Sequence, residues 1–421
     1  MFTNWTPYPS WHSMGSYRNQ QQRSGGDLDD ENQQIKVANN DDLITEILLW
    51  LPVKSILRFK SVSKHWLSFI SNPQFIHNHY IRNRPSVSGL LLHKSSILSN
   101  ESSILINPEF EFVPLVDNAT RAPFISLTFV NDAAGIKIQQ SCNGLLCCCS
   151  LRTMEDRKIY YIYNPSTKKY KILPRPSGKN VISISLAFDP LKSPHYKAVS
   201  FVSCDASAEK CQIEIYSSET GLWRSSGDPF TASDDGLLRN LPIYWNGAIH
   251  WLSTWGTSLY YNVEQECLGM MPMPPIPDGW DERRTRYFGE SHGHLHLIEI
   301  YGPCTTHFNI FEMENDYSRW FVKYRVNLDA TTTAYPEMIR NYLDVSDLNR
   351  FAFSILCVVC GKEEEDSFLV LHIPGKVLSY HLKDRSFKKL LEILPKLGDV
   401  QSSLYYISGS AYQHIESLSS V

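Results

Sequence analysis

Long hydrophobic runs are missing from this chain of 421 residues. A membrane-spanning helix needs roughly 20 consecutive apolar residues. The longest candidate, Phe351 to Cys360, spans ten and reads as a buried strand. No membrane partner is therefore expected. The first thirty residues carry neither a basic start nor an apolar segment, so no secretory leader is expected. The chain is expected in the nucleus, the cytoplasm or both, with its ten cysteines as free thiols. An excess of positive charge is missing as well. Forty Lys and Arg face 44 Asp and Glu, a net charge of −4, which removes the global electrostatic case for a nucleic-acid partner. Signatures such as GxGxxG, a Walker loop and HExxH are absent. No enzyme activity and no cofactor are expected.

Aromatic and turn-forming residues, by contrast, are abundant. The chain holds 22 Tyr, 19 Phe and 10 Trp beside 21 Gly and 23 Pro. That combination suits many short strands joined by loops. Three regions differ in character. Residues 1–40 are rich in Asn, Gln, Ser, Gly and Asp, with no apolar period, and are expected to be a disordered tail. Residues 41–84 show helical periodicity: Leu43, Ile44, Ile47, Leu48 and Leu51, then Val53, Ile56, Leu57 and Phe59, then Val62, Trp66, Phe69 and Ile70. Asn40 or Asp41 is expected to cap the first helix, Pro52 to start the second and Ser61 to cap the third. So small a helical unit has a marginal core and needs a partner.

From residue 85 to 421 alternation replaces the helical period, and one phrase recurs: a strand, a polar turn, and a strand often ending in Pro. Anchored on Ile106, Tyr163, Tyr216, Tyr261, Phe311 and Tyr380, the copies are 57, 53, 45, 50 and 69 residues apart. A period near fifty with several strands inside it predicts a propeller of about six blades. The long last step predicts an insertion, helical over 336–343 and a charged loop over 362–366. Asn143-Gly144, Asn246-Gly247 and His292-Gly293 predict tight two-residue turns. The segment 410–418 is expected to close the ring beside the first blade.

The run from Leu43 through Leu51-Pro52-Val53 to Trp66 resembles an F-box. Ser141-Cys142-Asn143-Gly144-Leu145-Leu146, Tyr163-Asn164-Pro165-Ser166-Thr167, Ala187-Phe188-Asp189-Pro190 and Asn246-Gly247-Ala248-Ile249-His250-Trp251 resemble the F-box-associated domain of plant F-box proteins. The expected fold is thus α+β: a small helical F-box followed by an all-β, kelch-like propeller. The resemblance implies a non-catalytic substrate receptor of an SCF-type ubiquitin ligase. It would dock on a Skp-type adaptor, and through it on cullin and RING subunits, while the propeller holds an unknown protein target. The alternative is a scaffold or sequestering protein that acts without ubiquitination. Leu43, Ile44, Ile47, Leu48, Leu51, Pro52, Val53, Leu57 and Val62 are the expected adaptor contacts, with Trp66 and Ile70 in the core. Six bases against three acids over 41–84 give a local charge of +3, which suits an acidic adaptor. The resemblance departs at Asn39-Asn40, where the family has Leu-Pro.

Other clusters carry less. Cys142, Cys147, Cys148 and Cys149, and Cys357 with Cys360, lie in strand-like runs and read as buried thiols, because neighbouring strand residues face opposite ways. His292, His294 and His296 are expected to share a strand face without holding a metal. The segment around Trp280, Arg283, Arg284, Arg286 and Tyr287 combines the residue types enriched at binding hot spots, and is the expected target-binding loop.

Overall fold

The computed structural model describes residues 41–94, 108–116, 122–132, 134–152, 158–177, 180–204, 210–231, 241–254, 257–302, 305–393 and 408–421. The 1–40 tail, with Asn39 and Asn40, and the Ile106 anchor lie outside the described residues. The chain parts into two compact units between Leu48 and Leu49. Within the first, helix α1 (Asp41–Leu49) begins with Asp41 and Asp42, acids that suit the positive end of a helix.

The second unit holds three further helices and all the strands. Helix α2 (Val53–Phe59) follows Pro52, whose extended backbone starts it. Helix α3 (Lys64–Ile70) is capped by Ser63, whose side chain accepts a hydrogen bond from the Trp66 N–H. Ser61, the expected cap, instead donates to the Arg58 carbonyl at 2.7 Å and closes α2. Helix α4 (Pro73–Asn83) is capped by Asn72 and ends at Arg84 in the left-handed region. Asn83 ties the group together by donating to the carbonyls of Leu49 and His79.

The strands form six antiparallel sheets among the described residues, five of four strands and one of three. The full blades are β3–β6 (Ile136–Cys142, Leu145–Ser150, Tyr160–Asn164, Lys169–Ile172), β7–β10 (Asn180–Ala187, Lys197–Ser203, Lys210–Ser217, Leu222–Thr231), β11–β14 (Ile243–Trp245, Ala248–Trp251, Leu259–Asn262, Cys267–Met270), β15–β18 (Thr285–Ser291, His294–Glu299, His307–Met313, Trp320–Asn327) and β19–β22 (Ser354–Val359, Phe368–Ile373, Lys376–His381, Phe387–Glu392). The first blade pairs β1 (Gly89–Lys94) with β2 (Glu109–Pro114) on one side and with the C-terminal β23 (Ala411–His414) on the other. The C-terminal strand therefore closes the ring, as the sequence predicts. This is a six-bladed propeller.

Tyr163, Tyr216, Tyr261, Phe311 and Tyr380 all fall on the third strand of their blades, so the fifty-residue period marks one structural position. The three predicted turns have positive φ at both residues: Asn143 and Gly144, Asn246 and Gly247, His292 and Gly293. These are the conformations that two-residue hairpins need. The aromatic excess also finds its use. Indole N–H groups tie two pairs of neighbouring blades: Trp223 donates to the Pro174 carbonyl at 2.7 Å, and Trp320 to Pro272 at 2.8 Å and Trp245 to Gly293 at 2.7 Å join a second pair. Between blades lie apolar clusters such as Phe201, Trp251 and Tyr261. The insertion before β19 differs from expectation. Helix α5 covers Asp329–Ala334, a single 3-10 turn covers Pro336–Met338, and 339–343 is not helical. Thr332 and Thr333 hydroxyls bond back to the Asp329 carbonyl, a local arrangement that a search for apolar periods overlooks.

The innermost strands run the same way. Cys142 and Asn143, at the end of β3, donate to the Phe188 carbonyl at the end of β7. Gln413, near the end of β23, donates to the Glu290 carbonyl near the end of β15. Helices α2–α4 meet this same end of the ring. Lys54 pairs with Glu416 at 2.9 Å, and His77 Nδ1 lies 3.1 Å from the Pro190 carbonyl. The opposite end is the one where β15 and β19 begin.

Candidate functional site

Helix α1 has two apolar faces. Ile44 and Leu48 are buried, whereas Leu43 and Ile47 are 40% and 52% exposed. Spacing of four along the helix separates the pairs: 44 and 48 fall on one stripe, 43 and 47 on the next. The nine expected adaptor contacts thus divide. Ile44, Leu48 and Val53 are buried in the chain itself and offer no surface. Leu51 and Leu57 are half-buried, and Leu43, Ile47, Pro52 and Val62 are exposed. Of the expected core pair, Ile70 is fully buried. Trp66 is only half-buried and packs on Phe59, with ring centres 5.4 Å apart. Sequence reasoning missed Trp50 and Leu67, exposed apolar side chains on the second unit. Trp50 was legible as an apolar residue three positions beyond Ile47; Arg82 lies over its ring at 4.4 Å.

The expected target-binding loop also divides. Tyr287 is buried in β15, with its hydroxyl towards Cys357 Sγ at 3.9 Å, and cannot contact a target. Arg283 is almost enclosed and is held by Glu299 at 3.0 Å and by the Pro274 carbonyl at 2.7 Å. Trp280 is half-buried against Tyr301, with Arg284 5.2 Å from its ring centre, while Arg284 and Arg286 are exposed.

A central cavity of about 410 Å³ runs among the innermost strands, lined by Ser141, Asn143, Tyr244, Glu290 and Gln413 among others. Burial raises the Glu290 carboxyl above its ordinary pKa. Among the described lining residues Glu290 is the one carboxylate and none is a histidine. The cysteine cluster is buried, and burial pushes the thiols of Cys142, Cys147 and Cys148 up. His294 and His296 share a face of β16 and approach Glu312 at 2.9 and 3.6 Å. His292 sits instead in the turn before them, with positive φ. Among the described residues no group of three His, Cys, Asp or Glu is arranged to hold a metal.

Helices α2–α4 packed on one end of a six-bladed ring, with exposed apolar side chains such as Leu67 on them, define the class: a small helical module joined to a propeller. The sequence profile described as F-box domain matches residues 40–78, and that described as F-box associated beta propeller domain matches residues 118–275. The F-box protein At5g07610 of Arabidopsis thaliana is 35% identical over 407 residues, covering 91% of this chain and 93% of that one. The F-box protein At5g49610 of the same plant is 31% identical, covering 62% and 71%. A putative F-box/kelch-repeat protein, At1g12870, is 24% identical, covering 84% and 85%. The chain belongs to the plant F-box proteins with an F-box-associated propeller.

Proposed function

We propose that this chain is the substrate-recognition subunit of an SCF-type ubiquitin ligase, without catalysis of its own. Its F-box docks on a Skp-type adaptor, which links it to cullin and RING subunits, and its propeller holds a protein target. The observation that carries this reading is the exposed apolar stripe of α1, Leu43 and Ile47. Apolar side chains left in water on a helix are the anchors of helix-mediated recognition. Val62 supplies a further exposed apolar contact and Lys54, Arg58 and Lys64 the favourable charge. The complex is expected to act in the nucleus, the cytoplasm or both.

The test is capture by a purified Skp-type adaptor. Burying one isoleucine contributes about 1.5–3 kcal/mol, so Ile47→Asp is expected to weaken capture by about ten- to a hundredfold, and Val62→Asp to weaken it too. Both residues are exposed, so folding is expected to survive, checked by the melting curve. Undiminished capture by both folded variants would refute the docking assignment. Sequestration without ubiquitination makes a different prediction: proteasome inhibition then leaves the level of the bound target unchanged, whereas a ligase target accumulates.

A further inference from the structure

The end of the ring remote from α2–α4 carries a cationic cleft. Two adjoining cavities of about 280 and 320 Å³ open where β15 and β19 begin, and they share Thr285, Arg286, Leu348 and Asn349. Arg283, Arg284, Arg286 and Arg340 line them, against a single lining carboxylate, Glu282. Arg283 is engaged by Glu299, and Arg284 reaches Glu282 at 3.0 Å. Arg340 donates to the Asn349 carbonyl at 2.9 Å, which holds it at the wall. Among the described residues no carboxylate pairs with Arg286. Partial desolvation, and then the like charge of Arg284, lower its guanidinium from the ordinary value.

The hydroxyls of the same cleft point the same way. Thr305 is 3% exposed and lines the first cavity, yet its Oγ1 has no partner; the Thr285 hydroxyl is also unpartnered. A buried polar atom without a hydrogen bond costs about 1–3 kcal/mol, and crowded like charges add to that cost. An anion relieves both, since guanidinium groups and hydroxyls are donors to phosphate and carboxylate oxygens. Ile300, Phe351, Phe353 and Ile355 complete the wall. That apolar lining fits the carbon stem and neighbours of a peptide side chain better than a bare ion.

We propose that this cleft receives an anionic side chain of the target, a phosphorylated residue or a carboxylate, held by Arg284, Arg286 and the hydroxyls of Thr285 and Thr305. The proposal rests on the reading of the chain as a target receptor, and it places recognition at the end of the ring away from α2–α4.

The test uses the full chain bound to its adaptor on an array of degenerate peptides. One fixed central position is phosphoserine, glutamate, serine or lysine. Phosphoserine and glutamate peptides are expected to bind above serine, and lysine peptides least. The order of the first two tells which anion is preferred, and competition by inorganic phosphate tells how much the bare ion contributes. The double variant R284Q/R286Q is expected to lose about tenfold in binding, and Arg286→Lys to retain part of it. Adaptor capture by the same variants stays intact under the proposal, so its loss would indict the docking reading or the fold instead. Binding indifferent to the central charge, an unchanged profile in the folded double variant, or binding of a single-stranded oligonucleotide in place of every peptide would each overturn the proposal.

Discussion

Closure of the ring depends on a handful of groups, and Asn164 is the one most open to measurement. It is fully buried at the end of β5. Its side-chain nitrogen donates to the carbonyls of Ser417 and Ser419, at 3.1 and 2.8 Å, and its oxygen accepts from the N–H groups of Ser166 and Thr167. One side chain thus shapes its own turn and holds the segment that follows the closing strand. Asn164→Ala removes all four bonds and strands two carbonyls beside residues only 2% and 5% exposed. A buried unsatisfied group costs about 1–3 kcal/mol. The expected loss is about 2–5 kcal/mol, because the turn N–H groups recover water and the carbonyls do not. Asn262 provides an internal control. It occupies the matching turn two blades on and accepts from the N–H groups of Glu264 and Gln265, without a C-terminal segment to hold. Asn262→Ala is expected to cost about 0.5–1.5 kcal/mol. Urea titrations compared at equal slope give both values, and hydrogen exchange over 411–421 locates the damage. Equal losses for the two variants, or unchanged exchange over 411–421 in Asn164→Ala, would refute the closure argument.

Two further outcomes follow from burial. His250 and His414 are held near pKa 4, His250 by burial and His414 by burial and then by Lys54. A histidine kept neutral in the folded state binds its proton first in the unfolded state, so stability is full above the ordinary histidine value, about 6.5, and falls as the pH drops from there towards 4. The acid limb is expected to flatten in His414→Gln, measured as melting temperature between pH 7 and 4; an unchanged slope counts against it. Thiol labelling offers the other check. Burial pushes Cys357 up to about 12 and raises the thiols of Cys142, Cys147 and Cys148, while Cys204 and Cys267 are exposed. Iodoacetamide at pH 7.5 (a setting near neutrality, about the range where only accessible thiolates react) should modify Cys204 and Cys267 in the native chain. Rapid modification of Cys147 or Cys148 in folded protein would refute the burial argument.

Much of the architecture was legible because its signals are local. A two-residue turn needs positive φ at both positions, and Asn-Gly and His-Gly announce that without any knowledge of the partner strands. The repeated aromatic residue is legible for a related reason: each blade must fill the same wedge between its neighbours, so a Tyr or Phe returns about every fifty positions. The insertion was less legible. Helix α5 is held by threonine hydroxyls and its own backbone, not by an apolar stripe. The site residues divided for one reason above all. Apolar residues that fill a core and apolar residues that bind a partner have the same composition and nearly the same spacing, as Ile44 and Leu48 beside Leu43 and Ile47 demonstrate.

The sequence by itself determined a propeller of about six blades, the turns, the closing role of the C-terminal strand and the resemblance to F-box proteins, because periodicity and backbone chirality are properties of short segments. Only the tertiary structure decided which side chains remain in water. It turned Tyr287 and Arg283 inwards, left Arg286 beside Arg284 without a carboxylate partner among the described residues, and put their cleft at the end of the ring away from α2–α4. Exposure and charge pairing depend on neighbours that are distant in the chain. The bond from Asn164 to Ser417 crosses 253 residues, and a separation of that kind leaves no mark on either local pattern.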